Sequence, residues 1–335
     1  MRKRVNQYIG HENQFCGVEE YRLIGGRGDG MRLLQVRNGR GLEFTVSADR
    51  SADISRLSFK GMNMGYFAPC GYVAPDFYDD RGDGFLKSFT AGFLTTCGLT
   101  NAGRPCVDEG EELPLHGGIS NTPAEHIYWE RNEKEIRIHA KVTDARLFSH
   151  KLTLDRTLRC PLDEDAIEIE DRIKNEGDRA YPMEILYHMN MGYPLLSEKS
   201  LVYIPSAQVE ARNERAAQGL DERNRMQKPE AGFEEQCYYH RFNGEGKAGI
   251  FQPEEGLGLM ISFNSKNLNY FTQWKMMGVR DYVLGLEPGN CHPDGREKMR
   301  QDGTLKILQP EEEVSYRLKV NMINGMEMWG KMTTD

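Results

Sequence analysis

Short segments in which apolar and polar residues alternate recur along this chain, whereas long stretches with helical periodicity are scarce. Alternation with a period of two is typical of strands that bury one face. Strand patterns occur at residues 42–47, 135–142, 151–158, 166–173, 201–204, 258–263, 282–286 and 314–320. Three of these segments follow one another closely between residues 135 and 173, which predicts a meander of antiparallel strands.

Turn-forming sequences separate these segments, and the 35 glycines of the chain fit a turn-rich all-β protein. Residues 207–235 are polar and charged and lack a strand pattern. We expect them to form a surface excursion, with some helix, over one face. The pattern predicts one large antiparallel β-sandwich of two big sheets with a few short helices. It is expected to be a single domain over residues 1–335, in which residues 1–40 are N-terminal strands or an extension.

Composition places the chain among ordinary folded proteins, with 39% hydrophobic and 28% charged residues. The net charge is −8 and there is no basic stripe, which argues against nucleic acid as a partner. The basic start Met1-Arg-Lys-Arg-Val5 is not followed by an apolar stretch, so it does not resemble a signal peptide. Seven cysteines without a CxxC pair fit a reducing compartment. We therefore expect a cytoplasmic protein without membrane association.

Two histidines stand at the ends of apolar segments. His116 precedes Gly117 and Gly118, and glycine allows a ligand or another backbone segment to come close. His188 follows the apolar segment that begins at Glu184, and alternation places it on the same face as Asn190. Both histidines are candidates for a site, although either could instead cap a turn or be satisfied in the core.

A carboxylate, Glu287, stands at the end of an almost wholly apolar strand pattern. A buried carboxylate is costly without a partner, so such a residue usually has a function or a cation beside it. Pro288 and Gly289 are expected to end the strand at once and to place Glu287 at the rim of the sheet. The competing interpretation is a salt bridge to Arg280 or Arg296.

Two histidines and one glutamate at strand ends are compatible with two kinds of chemistry. They could bind zinc, but they are widely spaced and lack a pattern such as HExxH, so we expect no metal and no other cofactor. They could also open a cyclic sugar hemiacetal. That reaction needs a base at the anomeric hydroxyl and an acid at the ring oxygen, which a carboxylate and a histidine can supply.

Three motifs resemble those of the galactose mutarotase-like superfamily: Leu-His-Gly-Gly at 115–118, Tyr-His-Met-Asn at 187–190 and Leu-Glu-Pro-Gly-Asn at 286–290. The resemblance is closest to its aldose 1-epimerase-like branch of the DUF4432 type. That branch is marked by Asp-Arg-Ser-Ala-Asp at 49–53, Phe-Lys-Gly at 59–61, Leu-Thr-Thr-Cys-Gly-Leu-Thr-Asn at 94–101, His-Gly-Gly-Ile-Ser-Asn at 116–121 and Gln-Trp-Lys at 273–275. It covers about residues 40–325 in the right order, and it implies a β-supersandwich with a long open cleft.

The resemblance also implies residue roles. His188 would be the acid at the ring oxygen, Glu287 the base at the C1 hydroxyl, and His116 a group that binds and polarises the substrate near C1. The expected substrate contacts are Asn101, Arg104, Arg50, Asn190, Trp274 and Lys275. Trp274 would either stack on the sugar or fill the core. Arg50 and Lys275 would either pair with an acidic sugar or form ordinary ion pairs.

The chain departs from the superfamily pattern because it lacks a clean copy of an early run of Asn and Arg residues. We therefore expect an aldose 1-epimerase that acts on an uncommon or acidic monosaccharide, as a monomer or homodimer. Two alternatives remain open: a lyase or glycoside-processing enzyme on the same fold, and a non-catalytic sugar-binding protein.

Overall fold

A computed structural model describes residues 7–334, so the basic start at residues 1–5 lies outside the described part. In chain order the strands are β1 (Gly17–Arg22), β2 (Arg32–Arg37), β3 (Leu42–Ser47), β4 (Asp53–Phe59), β5 (Met62–Asn63), β6 (Tyr66–Phe67), β7 (Ala91–Gly92), β8 (Leu94–Leu99), β9 (Cys106–Asp108), β10 (Glu111–Leu113), β11 (His126–Arg131), β12 (Glu135–Ala145), β13 (Lys151–Pro161), β14 (Ala166–Asn175), β15 (Tyr181–Pro182), β16 (Glu184–Met191), β17 (Leu201–Tyr203), β18 (Gln208–Ala211), β19 (Gln236–Arg241), β20 (Glu245–Gln252), β21 (Leu257–Asn264), β22 (Tyr270–Met277), β23 (Tyr282–Gly289), β24 (Ile307–Leu308) and β25 (Glu313–Asn324). The α-helices are α1 (Glu214–Ala217), α2 (Arg296–Gln301) and α3 (Met326–Thr333). Short 3₁₀ turns lie at Glu12–Gln14, Gly26–Gly28, Pro75–Phe77, Gly84–Lys87 and Ile119–Asn121.

Three large antiparallel sheets dominate the fold. The first has five strands in the order β1-β2-β3-β4-β5, and the second has eight in the order β11-β12-β13-β14-β25-β21-β20-β17. The third, here called the site sheet, has six strands in the order β18-β19-β22-β23-β16-β8. The meander expected between residues 135 and 173 is present as β12, β13 and β14, which pair in register.

The main core is a single cluster of buried apolar side chains that all three large sheets share. Phe44 comes from the five-stranded sheet, Leu154 and Val320 from the eight-stranded sheet, and Met189 and Leu286 from the site sheet. The all-β fold class is confirmed. A third large sheet, built from the first five strands, joins the two that were expected.

A buried ion network ties the three sheets together inside this core. The guanidinium of Arg156 on β13 lies 2.7 Å from Oδ1 of Asp53 on β4 and 2.6 Å from Oδ2 of Asp171 on β14. It also donates to the hydroxyl of Thr96 on β8, and Tyr187 on β16 donates to Asp171. Because these charges are desolvated, removal of Arg156 would leave two buried carboxylates without their cation.

The segment 207–235 is mostly half-buried or exposed, but it contains a strand that the sequence did not mark. It begins with β18 at the edge of the site sheet and continues through α1, while Met226 and Phe233 enter the main core. Lys275 secures it, since its ammonium donates to the carbonyl oxygens of Glu222 and Arg225. The strand was missed because β18 is a four-residue edge strand whose side chains are half-buried or exposed, which removes the apolar alternation.

The described residues, 7–334, contain no helix long and apolar enough to cross a membrane. All seven cysteines lie in this range as free thiols, and five of them are buried. A buried free thiol packs as a small apolar side chain.

Candidate active site

Four neighbouring strands of the site sheet place one polar residue each in a single cross-strand row. Thr272 on β22 pairs directly with Glu287 on β23, and His188 on β16 pairs with Thr95 on β8. The register between β16 and β23, with Leu186 opposite Gly289, puts His188 opposite Glu287. Directly opposed residues on paired strands share a face, and Thr272, Glu287 and His188 of this row form the floor of one pocket, whose lining does not include Thr95.

His188 and Glu287 form a close pair at the centre of that floor. His188 Nε2 lies 3.3 Å from Glu287 Oε1, and the two residues are 5% and 2% exposed. Neither His188 Nδ1 nor Glu287 Oε1 has a hydrogen-bond partner. Arg296, a suggested partner for Glu287, instead pairs with Asp108 and Glu111. The pair therefore retains unused hydrogen-bonding capacity.

Glu287 does not stand at the rim of the sheet, as the sequence suggested. Strand β23 continues through Pro288 to Gly289, and the whole segment from residue 283 to 289 is buried. Glu287 is thus an interior residue of a central strand, and the backbone fixes its position on both sides.

Burial shifts the pair towards its neutral form. It raises the pKa of Glu287 well above its usual range, an effect that nearby Glu235 increases and Arg212 opposes. Burial also lowers the pKa of His188 to about 4, although the neighbouring Asn190 side chain opposes this. Both shifts favour the uncharged carboxyl and the uncharged imidazole, so the proton that the pair can exchange rests on Glu287.

His116 projects over the floor from a strained turn. Its φ of 59° lies in the left-handed region, and its ring centroid is 5.6 Å from that of His188. The Gly103 backbone N–H donates to its Nδ1 at 3.2 Å, so the neutral ring carries its proton on Nε2. Burial lowers the pKa of His116 to about 3, and His188 adds to this effect. His116 is therefore a neutral hydrogen-bond donor to the pocket.

Gly117 shows why the turn needs glycine after His116. Its φ is +68°, and a Cβ there would come within 2.1 Å of the carbonyl oxygen of Gly98 on β8. Close contact between the turn and the site sheet therefore depends on the missing side chain. The sequence-based interpretation of the His-Gly-Gly motif as a place of close backbone approach agrees with this geometry.

Aromatic rings surround the two histidines. The centroids of Phe89 and Trp274 each lie 5.3 Å from the ring of His188, and Phe85 lies 5.2 Å from His116. Phe85 and Phe89 come from the segment that leads into β7, which the sequence did not mark as part of a site. These rings line a pocket of about 340 Å³, within the range typical of small-molecule sites. They exclude water from the imidazoles and so account for the lowered pKa values.

A charged rim borders the pocket. Arg212 donates from Nε to Asp294 Oδ1 at 3.1 Å, and Arg104 donates from Nε to the Asp294 carbonyl oxygen at 2.6 Å. Glu235 accepts a hydrogen bond from Trp274 Nε1 at 2.7 Å and lies 4.0 Å from Arg212. Of these residues, only Arg104 and Trp274 were predicted. Arg212 and Glu235 lie within the 207–235 segment, where the absence of a strand pattern left no signal that they face a pocket.

Four predicted substrate contacts lie outside the pocket lining. Asn101 is fully buried, and its amide donates to the Pro114 carbonyl and accepts from the Arg296 backbone N–H. Arg50 donates only to the carbonyl oxygens of Val73, Ser88 and Ser120. Their side chains are used within the protein, and the structure does not bring them together with His188 and Glu287 in the pocket lining.

Lys275 and Asn190 also lie outside the pocket lining, for different reasons. Lys275 follows Trp274 on β22, and alternation turns it to the opposite face, where it holds the 207–235 segment. Asn190 is fully buried, donates to the His188 carbonyl oxygen at 2.9 Å and favours the protonated form of His188. Asn190 therefore supports His188 rather than touching a ligand.

Glu184, at the start of β16, holds the loop that positions His116. It accepts a hydrogen bond from the Ala102 backbone N–H at 2.8 Å, next to Gly103, which contacts His116. Burial raises its pKa to about 8. Folding therefore favours the protonated carboxyl, and this stabilisation is lost as the pH rises from the usual glutamate range through about 8.

We expect Glu184→Gln to lose less stability than the wild type between pH 6 and pH 9, because glutamine cannot ionise. The measurement is the free energy of unfolding in urea at both pH values. An equal loss in the two proteins would contradict the raised pKa.

Comparisons with known proteins agree with this architecture. A family model described as a domain of unknown function, DUF4432, matches residues 28–322. A putative aldose 1-epimerase from Klebsiella pneumoniae is 25% identical with a TM-score of 0.87, over 94% of this chain and 85% of that chain. A galactose mutarotase-like protein from Clostridium acetobutylicum is 14% identical with a TM-score of 0.69, over 93% and 100% of the two chains. A galactose 1-epimerase from Lactobacillus acidophilus is 11% identical with a TM-score of 0.63, over 92% and 99%.

No curated protein sequence matches the chain. At 14% and 11% identity, the latter two structures show a shared fold and nothing about the reaction. The chemistry must therefore be argued from the pocket itself.

Proposed function

The chain belongs to the DUF4432 family, and from that premise we propose that it is a carbohydrate isomerase of the aldose 1-epimerase type. Its resemblance to the galactose mutarotase-like superfamily is confirmed by the family match and by the similar structures. The observation that carries the proposal is the buried pair of His188 and Glu287, 3.3 Å apart in an aromatic pocket. Such a pair can exchange a proton with two oxygens of one sugar.

The proposed reaction uses the single proton of the pair. Its transfer from Glu287 to His188 gives a carboxylate and an imidazolium. Glu287 then removes the proton of the C1 hydroxyl while His188 protonates the ring oxygen, and the C1–O bond to the ring breaks. Rotation about the C1–C2 bond and closure with reversed roles give the other anomer and restore the pair.

His116 and Trp274 would assist without exchanging protons. As a neutral donor, His116 Nε2–H can polarise the C1 oxygen as the carbonyl forms, which is the role that the family resemblance implied. The indole of Trp274 lines the same pocket and offers an apolar face to the C–H side of a sugar ring.

We propose a neutral aldose as the substrate rather than an acidic one. The acidic group was expected to pair with Arg50 and Lys275, and neither lines the pocket. The guanidinium groups that do, on Arg104 and Arg212, are accompanied by the carboxylates of Asp83 and Glu235. A balanced rim of this kind suits hydroxyl groups, which both donate and accept hydrogen bonds.

The test is two-dimensional exchange NMR of anomers over a panel of neutral and acidic aldoses, with the wild type and Glu287→Gln. The wild type should accelerate interconversion of at least one neutral aldose, and the variant should not. Binding of a sugar without faster exchange would indicate a non-catalytic sugar-binding protein and would refute the proposal.

One observation favours glycoside processing as a second candidate. Glu235 is another carboxylate in the pocket, and glycosidases flank the scissile bond with two carboxylates. Release of reducing sugar from aryl glycosides, abolished by Glu235→Gln and by Glu287→Gln, would favour this candidate. Anomer exchange that survives Glu235→Gln would favour the isomerase.

A further inference from the structure

Thr272 is a polar group of the pocket floor that neither the family resemblance nor the proposed mechanism uses. It lines the pocket, is 1% exposed, and its hydroxyl has no hydrogen-bond partner among residues 7–334. Leaving a buried hydroxyl unpaired is costly, so a partner supplied by a ligand would be favourable. The only other threonine in the row, Thr95, already donates to the Ala91 carbonyl oxygen at 2.7 Å.

The row fixes where that partner must lie. Thr272 and His188 flank Glu287 on opposite sides in neighbouring strands, and all three line the pocket. A ligand that contacts Glu287 therefore has the Thr272 hydroxyl on one side and the His188 imidazole on the other. In an aldopyranose, the ring oxygen and the C2 hydroxyl stand on either side of C1 in the same way.

We propose that Thr272 binds the C2 hydroxyl of the sugar and makes the site selective for 2-hydroxy aldoses over 2-deoxy aldoses. This inference rests on the proposed function, which places the ring oxygen at His188 and the C1 hydroxyl at Glu287. The three polar groups of the floor then meet three consecutive positions of one sugar. A substrate without the C2 hydroxyl leaves the buried Thr272 hydroxyl unpaired, and selectivity follows from that loss.

The experiment compares D-glucose with 2-deoxy-D-glucose, and D-galactose with its 2-deoxy form, by exchange NMR. Thr272→Val removes the hydroxyl at nearly constant volume, and Thr272→Ser retains it. For Thr272→Val, kcat/KM should fall about tenfold on the 2-hydroxy sugars and less than about twofold on the 2-deoxy sugars. Thr272→Ser should keep the selectivity of the wild type. Thr95→Val is the matched control and should leave the ratio between the two sugars unchanged.

Equal losses on both sugars in Thr272→Val would overturn the inference, because they would mean that Thr272 only positions Glu287 or supports the sheet. Failure of the proposed function looks different, since the wild type would then accelerate exchange of none of these sugars. In that case the contact between Thr272 and the C2 hydroxyl is tested by binding, with saturation-transfer NMR of the same sugar pairs. A preference for the 2-hydroxy form that Thr272→Val abolishes supports the contact, and no such preference refutes it.

Discussion

Glutamine in place of Glu287 should lower kcat for anomer interconversion by about a thousandfold or more, within the range that a positioned acid–base group contributes. The amide can neither take the C1 proton nor return it. Because burial raises the pKa of Glu287, the folded protein favours the uncharged carboxyl, which glutamine imitates. Stability should therefore be unchanged at acidic pH and should rise relative to the wild type as the pH increases.

His188→Asn and the double variant complete this prediction. Since His188 and Glu287 share one proton, removal of either should cost nearly as much as removal of both, so the losses should not multiply. The measurements are kcat by exchange NMR and urea unfolding for all four proteins. Independent, multiplicative losses would show that the two residues do not act as a pair.

Alanine in place of Gly285 should preserve the fold but reduce activity by about a hundredfold, the scale of a misplacement near 1 Å. A Cβ on Gly285 would lie 2.2 Å from Glu287 Oε1 and 3.0 Å from Trp274 Cβ. The Glu287 carboxylate is at the flexible end of its side chain and can move away from the new Cβ. That movement would break its contact with His188. Gly285 has an ordinary negative φ, so alanine introduces no backbone strain.

Activity and the circular dichroism spectrum test this prediction, with Gly330→Ala as the control because a Cβ on Gly330 meets no atom within 4 Å. Gly285→Ala with wild-type kcat would mean that the observed position of the Glu287 carboxylate is not needed. If the variant instead unfolds, the new Cβ cannot be accommodated beside Trp274, even though the carboxylate can move away from it.

Strand periodicity predicted the fold class because the long strands bury one face and repeat the alternation many times. It was less successful where a strand is short or lies at an edge. β18 has four residues, all half-buried or exposed. It does not offer enough buried positions for a pattern to stand out.

The chemistry of the site was predictable where a residue type is unusual for its surroundings. A carboxylate in an apolar strand pointed to Glu287, and glycines after a histidine pointed to His116. Arg50 and Lys275 misled because charge alone does not reveal which carbonyl oxygens will satisfy a buried cation. Thr272 and Phe89 gave no signal, since threonine and phenylalanine are ordinary in strands and cores.

The pocket floor and the aromatic side chains of Phe85 and Phe89, here called the wall, are held in place in different ways. This difference decides which of the two can be substituted without loss of the other. The floor residues are fixed by strand register, so a shift of one residue would turn them all to the other face. Phe85 and Phe89 instead belong to a loop that Arg50 secures through backbone carbonyl oxygens, whatever side chains the loop carries. Evolution or design can therefore exchange the wall to admit a new sugar while the proton chemistry stays in place.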